Sequence, residues 1–131
     1  MKTKISKTND EWKKELSKES YNICILKGTE APFSGQYNNH SELGIYQCIC
    51  CGNELFSSIH KYNSGSGWPS FYNLIKEDAI EENIDLSQEM KRIEITCRKC
   101  NSHLGHLFTD GPQPTGYRYC INSAALKFKY I

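Results

Sequence analysis

A single cysteine in Arg118-Tyr119-Cys120-Ile121-Asn122 belongs to neither of the two C-x-x-C pairs that precede it, Cys48/Cys51 and Cys97/Cys100. Those pairs have the spacing of two knuckles that together offer four thiolates to one tetrahedral metal ion. A site with four protein ligands is closed and structural, which leaves Cys120 free for chemistry. Two imidazoles, His103 and His106, follow the second pair and add groups that exchange protons near neutral pH. One short chain thus carries a metal-site pattern, a spare thiol and proton donors.

Each of these signals has a plainer counterpart. Four buried thiols can act as small hydrophobes, and iron also accepts four sulfurs, although nothing else in the chain points to electron transfer. Cys50 lies inside the first knuckle, and Cys51 is taken as the ligand because it completes the x-x spacing. Cys120 reads equally as a reactive thiol and as a buried structural cysteine. The guanidinium of Arg118, two residues away, is expected to lower its pKa. His103 and His106 also fit ordinary surface or hydrogen-bonded histidines. Trp68, presented by Gly65-Ser66-Gly67-Trp68-Pro69-Ser70-Phe71, suits either core packing or the aromatic wall of a pocket.

Positioning these groups falls mostly to short strands. Arg92, Glu94 and Thr96 alternate with Ile93, Ile95 and Cys97, which predicts a strand with one apolar face. Arg118, Cys120 and Asn122 alternate with Tyr117, Tyr119 and Ile121, which would place a guanidinium, a thiol and an amide on one face. Leu126, Phe128 and Tyr130 alternate with two lysines. Shorter strands are expected at 45–48, 54–56, 71–74 and 104–108. Thr8-Asn9-Asp10-Glu11 has the form of a capping box and predicts a helix over 9–16, with a second helical turn at 17–22. Residues 28–44 are rich in Gly, Pro and Asn and read as a wrapping loop.

At 131 residues the chain is expected to form one domain, with 1–8 as a flexible N-terminal stretch. Only 38% of residues are hydrophobic, so a structural metal would help hold the core together. A net charge of +1, without a basic block, gives no sign of nucleic acid or membrane as partner, and no apolar run suggests a leader or a span. The expected compartment is the cytoplasm, where seven cysteines argue for metal binding and catalysis over disulfides.

Taken in order, Gly28-Thr29-Glu30-x-Pro32-Phe33-x-Gly35, Cys48-x-x-Cys51, Gly67-Trp68-Pro69-Ser70-Phe71, Cys97-x-x-Cys100, His103-Leu104-Gly105-His106, Asp110-Gly111-Pro112 and Arg118-Tyr119-Cys120-Ile121-Asn122-Ser123 resemble the methionine (R)-sulfoxide reductase family, B type, over nearly the whole chain. The resemblance implies a mainly β fold, a zinc-bearing β-tent of two antiparallel sheets with short N-terminal helices. It implies one structural zinc ion on Cys48, Cys51, Cys97 and Cys100. It implies that Cys120 is the nucleophile, taking the oxygen as a sulfenic acid, with His103, His106 and Asn122 lining the sulfoxide. Trp68 would receive the substrate methyl, with Phe71 and Arg118 as further substrate contacts.

The implied activity is thiol-dependent reduction of the R epimer of methionine sulfoxide, free or in proteins. Many relatives carry a resolving cysteine where this chain has Ser66. Regeneration then falls to thioredoxin or a similar thiol acting directly, or to another cysteine, of which Cys24 is the better internal candidate. The rival reading is a non-catalytic zinc-binding β module that binds a partner protein. It accounts for the knuckles but not for Cys120, Trp68 and the histidine pair. A nucleic-acid-binding zinc ribbon lacks its basic stripe.

Overall fold

The computed structural model describes Ile5 and residues 7–131. Thr8 caps the first helix, α1 (Asn9–Glu15). Its hydroxyl accepts from the Glu11 amide while the Glu11 carboxylate accepts from the Thr8 amide, the reciprocal box read from the sequence. Ser17 caps α2 (Lys18–Cys24), which runs two residues further than expected and buries Ser20, Ile23 and Cys24. Of the stretch 1–8, Met1 to Lys4 and Ser6 lie outside the described residues. The Ile5 amide donates to the Lys99 carbonyl, and Lys7 pairs with Glu15.

Two antiparallel sheets follow. The smaller has the order β2-β1-β9, from β1 (Gly44–Cys48), β2 (Glu54–Ser57) and β9 (Leu126–Tyr130). The larger has the order β3-β4-β8-β7-β6-β5. Its strands are β3 (Lys61–Tyr62), β4 (Ser70–Phe71), β5 (Ile80–Asp85), β6 (Arg92–Cys97), β7 (His103–Phe108) and β8 (Arg118–Ile121). The predicted mainly β architecture of two antiparallel sheets with short N-terminal helices is therefore the one observed. Between the sheets lie the fully buried Tyr46, Leu55, Phe56, Phe71, Ile95 and Ile121.

Two departures from the sequence reading matter for the site. β5, Ile80-Glu81-Glu82-Asn83-Ile84-Asp85, has no period-2 alternation. It forms as an edge strand because all six residues pair with β6. In β6 the polar residues Glu94 and Thr96 are buried like their apolar neighbours, so this strand is covered on both faces. The expected strand at 71–74 is reduced to Ser70–Phe71, because β4 pairs only over those two positions.

Candidate active site

Strand register builds the site. In β8, Tyr119 and Ile121 point into the core while Arg118 and Cys120 share the other, half-buried face. Cys120 pairs with Ser70 of β4 on one side and with His106 of β7 on the other, and His106 pairs in turn with Glu94 of β6. Directly paired residues sit with Cβ atoms about 5 Å apart on one face. Thiol, imidazole and carboxylate thus form a row across adjacent strands. Such close packing needs Gly105, since a methyl group there would run into the Cys120 carbonyl.

A recess of about 80 Å³ opens on this row, lined by Trp68, His106, Phe108, Cys120 and Asn122 among others. Trp68 is fixed by its indole N–H, which donates to the Glu30 carbonyl at 3.0 Å. The loop carrying it is wired by serines: Ser64 bonds Ser66 and Ser70, and the Trp68 amide donates to Ser66. Gly67 has φ +98, and a side chain there would meet Pro32 at 2.6 Å, so only glycine lets this loop close against residues 32–33. The predicted wrapping loop does cover the site. The Glu30 amide donates to Asn122 Oδ1, and Asn122 Nδ2 donates to the Leu104 carbonyl. The Asn122 amide is therefore engaged with backbone at both ends. It lines the recess while tying that loop to the sheet.

Both histidines have carboxylate partners. His103 Nδ1 donates to Glu94 Oε2 at 2.7 Å, and His106 Nε2 donates to Asp85 Oδ2 at 2.8 Å. The rings stand 5.4 Å apart, edge to face. Burial pushes the His103 pKa down against the opposing pull of Glu94, so this ring rests neutral. Hydrogen bonds from Ser87 and His106 hold the Asp85 carboxyl well below the usual carboxylate range. Asp85 is absent from the sequence reading, and Glu94 enters it only as a polar residue of the 92–97 strand, with no site role. Glu94 had a readable signal, as a carboxylate on a strand between two apolar neighbours. Asp85 had none, because β5 itself was not legible.

Cys120 differs from expectation in one respect. Burial raises its pKa, and the charge of Arg118 with hydrogen bonds from Ser66 and Arg118 only partly offsets this. The cation acts with the predicted sign, but desolvation wins and the thiol is not acidified. Arg118 itself is held by Asp110 at 2.8 Å and lies over the Phe108 ring at 4.3 Å. Ser66 presents a hydroxyl, not a thiol, to Cys120.

Phe71 is not among the residues lining the recess. It is fully buried and stacks on Phe56 at 4.3 Å, because its strand neighbour Ser70 takes the site-facing position. We expect Phe71→Ala to cost about 3–5 kcal/mol of stability in denaturant titration, as for other buried aromatics. A selective rise in KM at wild-type stability would contradict this placement. Cys24 is likewise remote from the recess: it is buried in α2 and is not among the residues lining it.

The four knuckle cysteines come together as the spacing predicts. Their sulfurs all lie within 4.8 Å of one another, with Cys48–Cys100 and Cys51–Cys97 each at 3.6 Å. Four thiolates at about 2.3 Å from a central ion would be about 3.8 Å apart, so the donor set fits one tetrahedral metal ion. Each knuckle is closed the same way, by an amide donating back to the first cysteine's carbonyl from a left-handed residue, Gly52 (φ 80) or Asn101 (φ 64). Ser102 Oγ and Asn53 Nδ2 contact the sulfurs from outside. One knuckle ends β1 and the other ends β6, so an ion here would staple the small sheet to the large one.

The SelR domain matches residues 16–130 of the chain. Over 126 residues the chain is 60% identical to the peptide methionine sulfoxide reductase MsrB of Acinetobacter baylyi, covering 96% of this chain and 91% of that protein. It is 53% identical to the protein of the same name from Hahella chejuensis over 125 residues, covering 95% and 90%. The Pseudomonas putida protein of that name is 55% identical over 126 residues, covering 96% and 95%.

Proposed function

Because the chain belongs to the SelR-domain family of peptide methionine sulfoxide reductases, we propose that it reduces methionine sulfoxide, as the R epimer free or in proteins, with Cys120 as the oxygen acceptor. The observation that carries this reading is the recess shared by a thiol, an imidazole and an indole, Cys120, His106 and Trp68. The reaction is R–S(O)–CH₃ + Cys120–SH → R–S–CH₃ + Cys120–SOH. Two electrons pass from the cysteine sulfur to the substrate sulfur, the S–O bond of the substrate breaks and a new one forms at Cys120.

The electrostatics favour catalysis on the oxygen side. A thiol at about pKa 8.5 is roughly 3% ionised at pH 7, and burial makes the Cys120 fraction smaller still. Even full ionisation at a lower pKa would bring only a modest gain, because nucleophilicity falls with basicity at a slope of about 0.4–0.5. Protonating the departing oxygen is worth roughly 10²–10⁴-fold. His106 lines the recess opposite Cys120, and Asp85 fixes it from the far side, leaving Nδ1 to carry the transferred proton. His103, neutral and set back against Glu94, holds the ring of His106 in place. Trp68 packs the methyl group. Asn122 and Arg118 keep the wall and the thiol in position.

We expect His106→Ala to lower kcat/KM about 10²-fold or more and Arg118→Ala about tenfold or less, measured on methionine R-sulfoxide with excess dithiol. Equal or reversed losses would remove His106 from the oxygen-side role.

Regeneration needs two thiol equivalents: Cys120–SOH + 2 R′SH → Cys120–SH + R′S–SR′ + H₂O. With Ser66 against the sulfur, the sulfenic acid is attacked by an external thiol, thioredoxin or a similar reductant, and Cys24 serves only if the chain rearranges. The four knuckle cysteines hold one zinc ion with a structural task and take no part in these steps. A cytoplasmic setting, with its reducing thiol pool, suits a chain whose seven cysteines form no disulfide.

A further inference from the structure

Two walls of the recess, Trp68 and Asn122, rest on a single residue that does not itself line it. The Trp68 indole donates to the Glu30 carbonyl at 3.0 Å, and the Glu30 amide donates to Asn122 Oδ1 at 3.1 Å. Glu30 lies in a stretch, residues 25–43, that contains neither helix nor strand, so no ladder of backbone bonds sets its position. Its side chain does. Glu30 Oε1 accepts from the Ala124 amide at 3.0 Å, just past Asn122 and at the turn that follows β8. The carboxyl is enclosed: Glu30 is 8% exposed. A methyl group at Gly35 would lie 2.4 Å from Oε2 and 2.1 Å from Ser123 Oγ, so the loop closes over the carboxyl only with glycine there. Burying an acid whose Oε2 has no partner weakens a fold, and an apolar side chain would fill the space better. Packing alone does not account for Glu30.

We propose that Glu30 is a positioning residue: its carboxyl, held by the Ala124 amide, fixes the main chain on which Trp68 and Asn122 both rest, and so sets how narrowly the recess accepts a methyl group on the substrate sulfur. The inference rests on the reductase reading and deepens it. One extra methylene against a rigid apolar wall is discriminated by roughly 10–200-fold, and that discrimination fades when the wall can move. The indole is as rigid as the carbonyl it donates to. Without the carboxyl, that carbonyl moves with the loop.

The test compares the full chain with Glu30→Ala, which removes the acceptor for the Ala124 amide, and Glu30→Gln, which keeps it. Two R-configured substrates are used, the methylamides of N-acetylmethionine sulfoxide and N-acetylethionine sulfoxide, which differ by one methylene on sulfur. Glu30→Ala should lower the methyl-to-ethyl ratio of kcat/KM about tenfold, the effect of one lost hydrogen bond on the better-fitting substrate. Exchange of the Trp68 indole proton, followed by NMR with Trp12 as the internal control, should become about tenfold faster. Glu30→Gln should keep the ratio within about threefold and the exchange rate near that of the unaltered chain. A role in folding alone would lower both substrates alike and leave the ratio in place. An unchanged ratio in Glu30→Ala, unchanged indole exchange, or a loss in Glu30→Gln as large as in Glu30→Ala overturns the proposal. Should Glu30→Ala not fold, Glu30→Asp, which withdraws the carboxyl by one bond, is read in the same way, and an unaltered ratio there overturns it. An unaltered chain that reduces neither sulfoxide refutes the reductase reading itself, while the indole exchange still decides whether Glu30 holds Trp68.

Discussion

Replacing Cys120 with Ser removes turnover of methionine R-sulfoxide, by at least about 10³-fold, and leaves fold and metal content intact. The size follows from the chemistry: a hydroxyl is a far weaker nucleophile than a thiol and cannot accept the oxygen by a two-electron oxidation, as sulfur does. Survival of the fold follows from the packing. Cys120 is on the half-buried face of β8, and the neighbours that hold that strand in the core are Tyr119 and Ile121. The metal cluster draws its sulfurs from the β1–β2 and β6–β7 turns and so does not depend on β8. Intact turnover in Cys120→Ser would leave a non-catalytic metal-binding module as the better account of this chain. Loss of the fold would show that the thiol is a structural one.

Stripping the metal is the second large effect, and it falls on stability. A structural zinc site contributes about 10–16 kcal/mol at neutral pH, comparable with the whole stability of a small domain at about 5–15 kcal/mol. Here the ion would join a turn of the small sheet to a turn of the large one, adding to single bonds such as Asn53 Nδ2 to the Ala79 carbonyl. Chelation, or Cys100→Ser, should therefore abolish cooperative thermal unfolding near the starting Tm, with one zinc ion per chain lost by elemental analysis. An unchanged melting curve after complete metal removal would confine the four cysteines to a packing role.

The parts of this molecule that were legible in the sequence are those whose information is local. C-x-x-C spacing reports a knuckle because four consecutive residues fold it, and Gly52 and Asn101 supply the left-handed turns it needs. β8 and β9 were readable because one face is wet and the other dry, which writes an alternation into the sequence. β5 was not, because its charged residues adopt the strand only by pairing with β6, and no residue within the segment reports that partner. With β5 went Asp85, and with Asp85 went the support of His106. Glu94 read as a solvent-facing residue of β6, yet His103 draws it into the interior. Phe71 followed Trp68 in a site-bearing motif, but two residues joined by Pro69-Ser70 in this way need not share a face, and the pairing of Ser70 with Cys120 sends Phe71 to the core. The thiol's pKa failed for a different reason. Arg118 is visible two residues away, whereas burial is a property of the whole fold and here it outweighs the cation.

All of the proposed chemistry turns on an oxygen atom arriving at the sulfur of Cys120. Mixing the reduced chain with one equivalent of methionine R-sulfoxide, with no other thiol present, and mapping the product by mass spectrometry tests this directly. The account predicts one methionine formed per chain and a gain of about 16 Da, one oxygen as a sulfenic acid, on the peptide that contains Cys120. Methionine formed while Cys120 stays an unmodified thiol would contradict it.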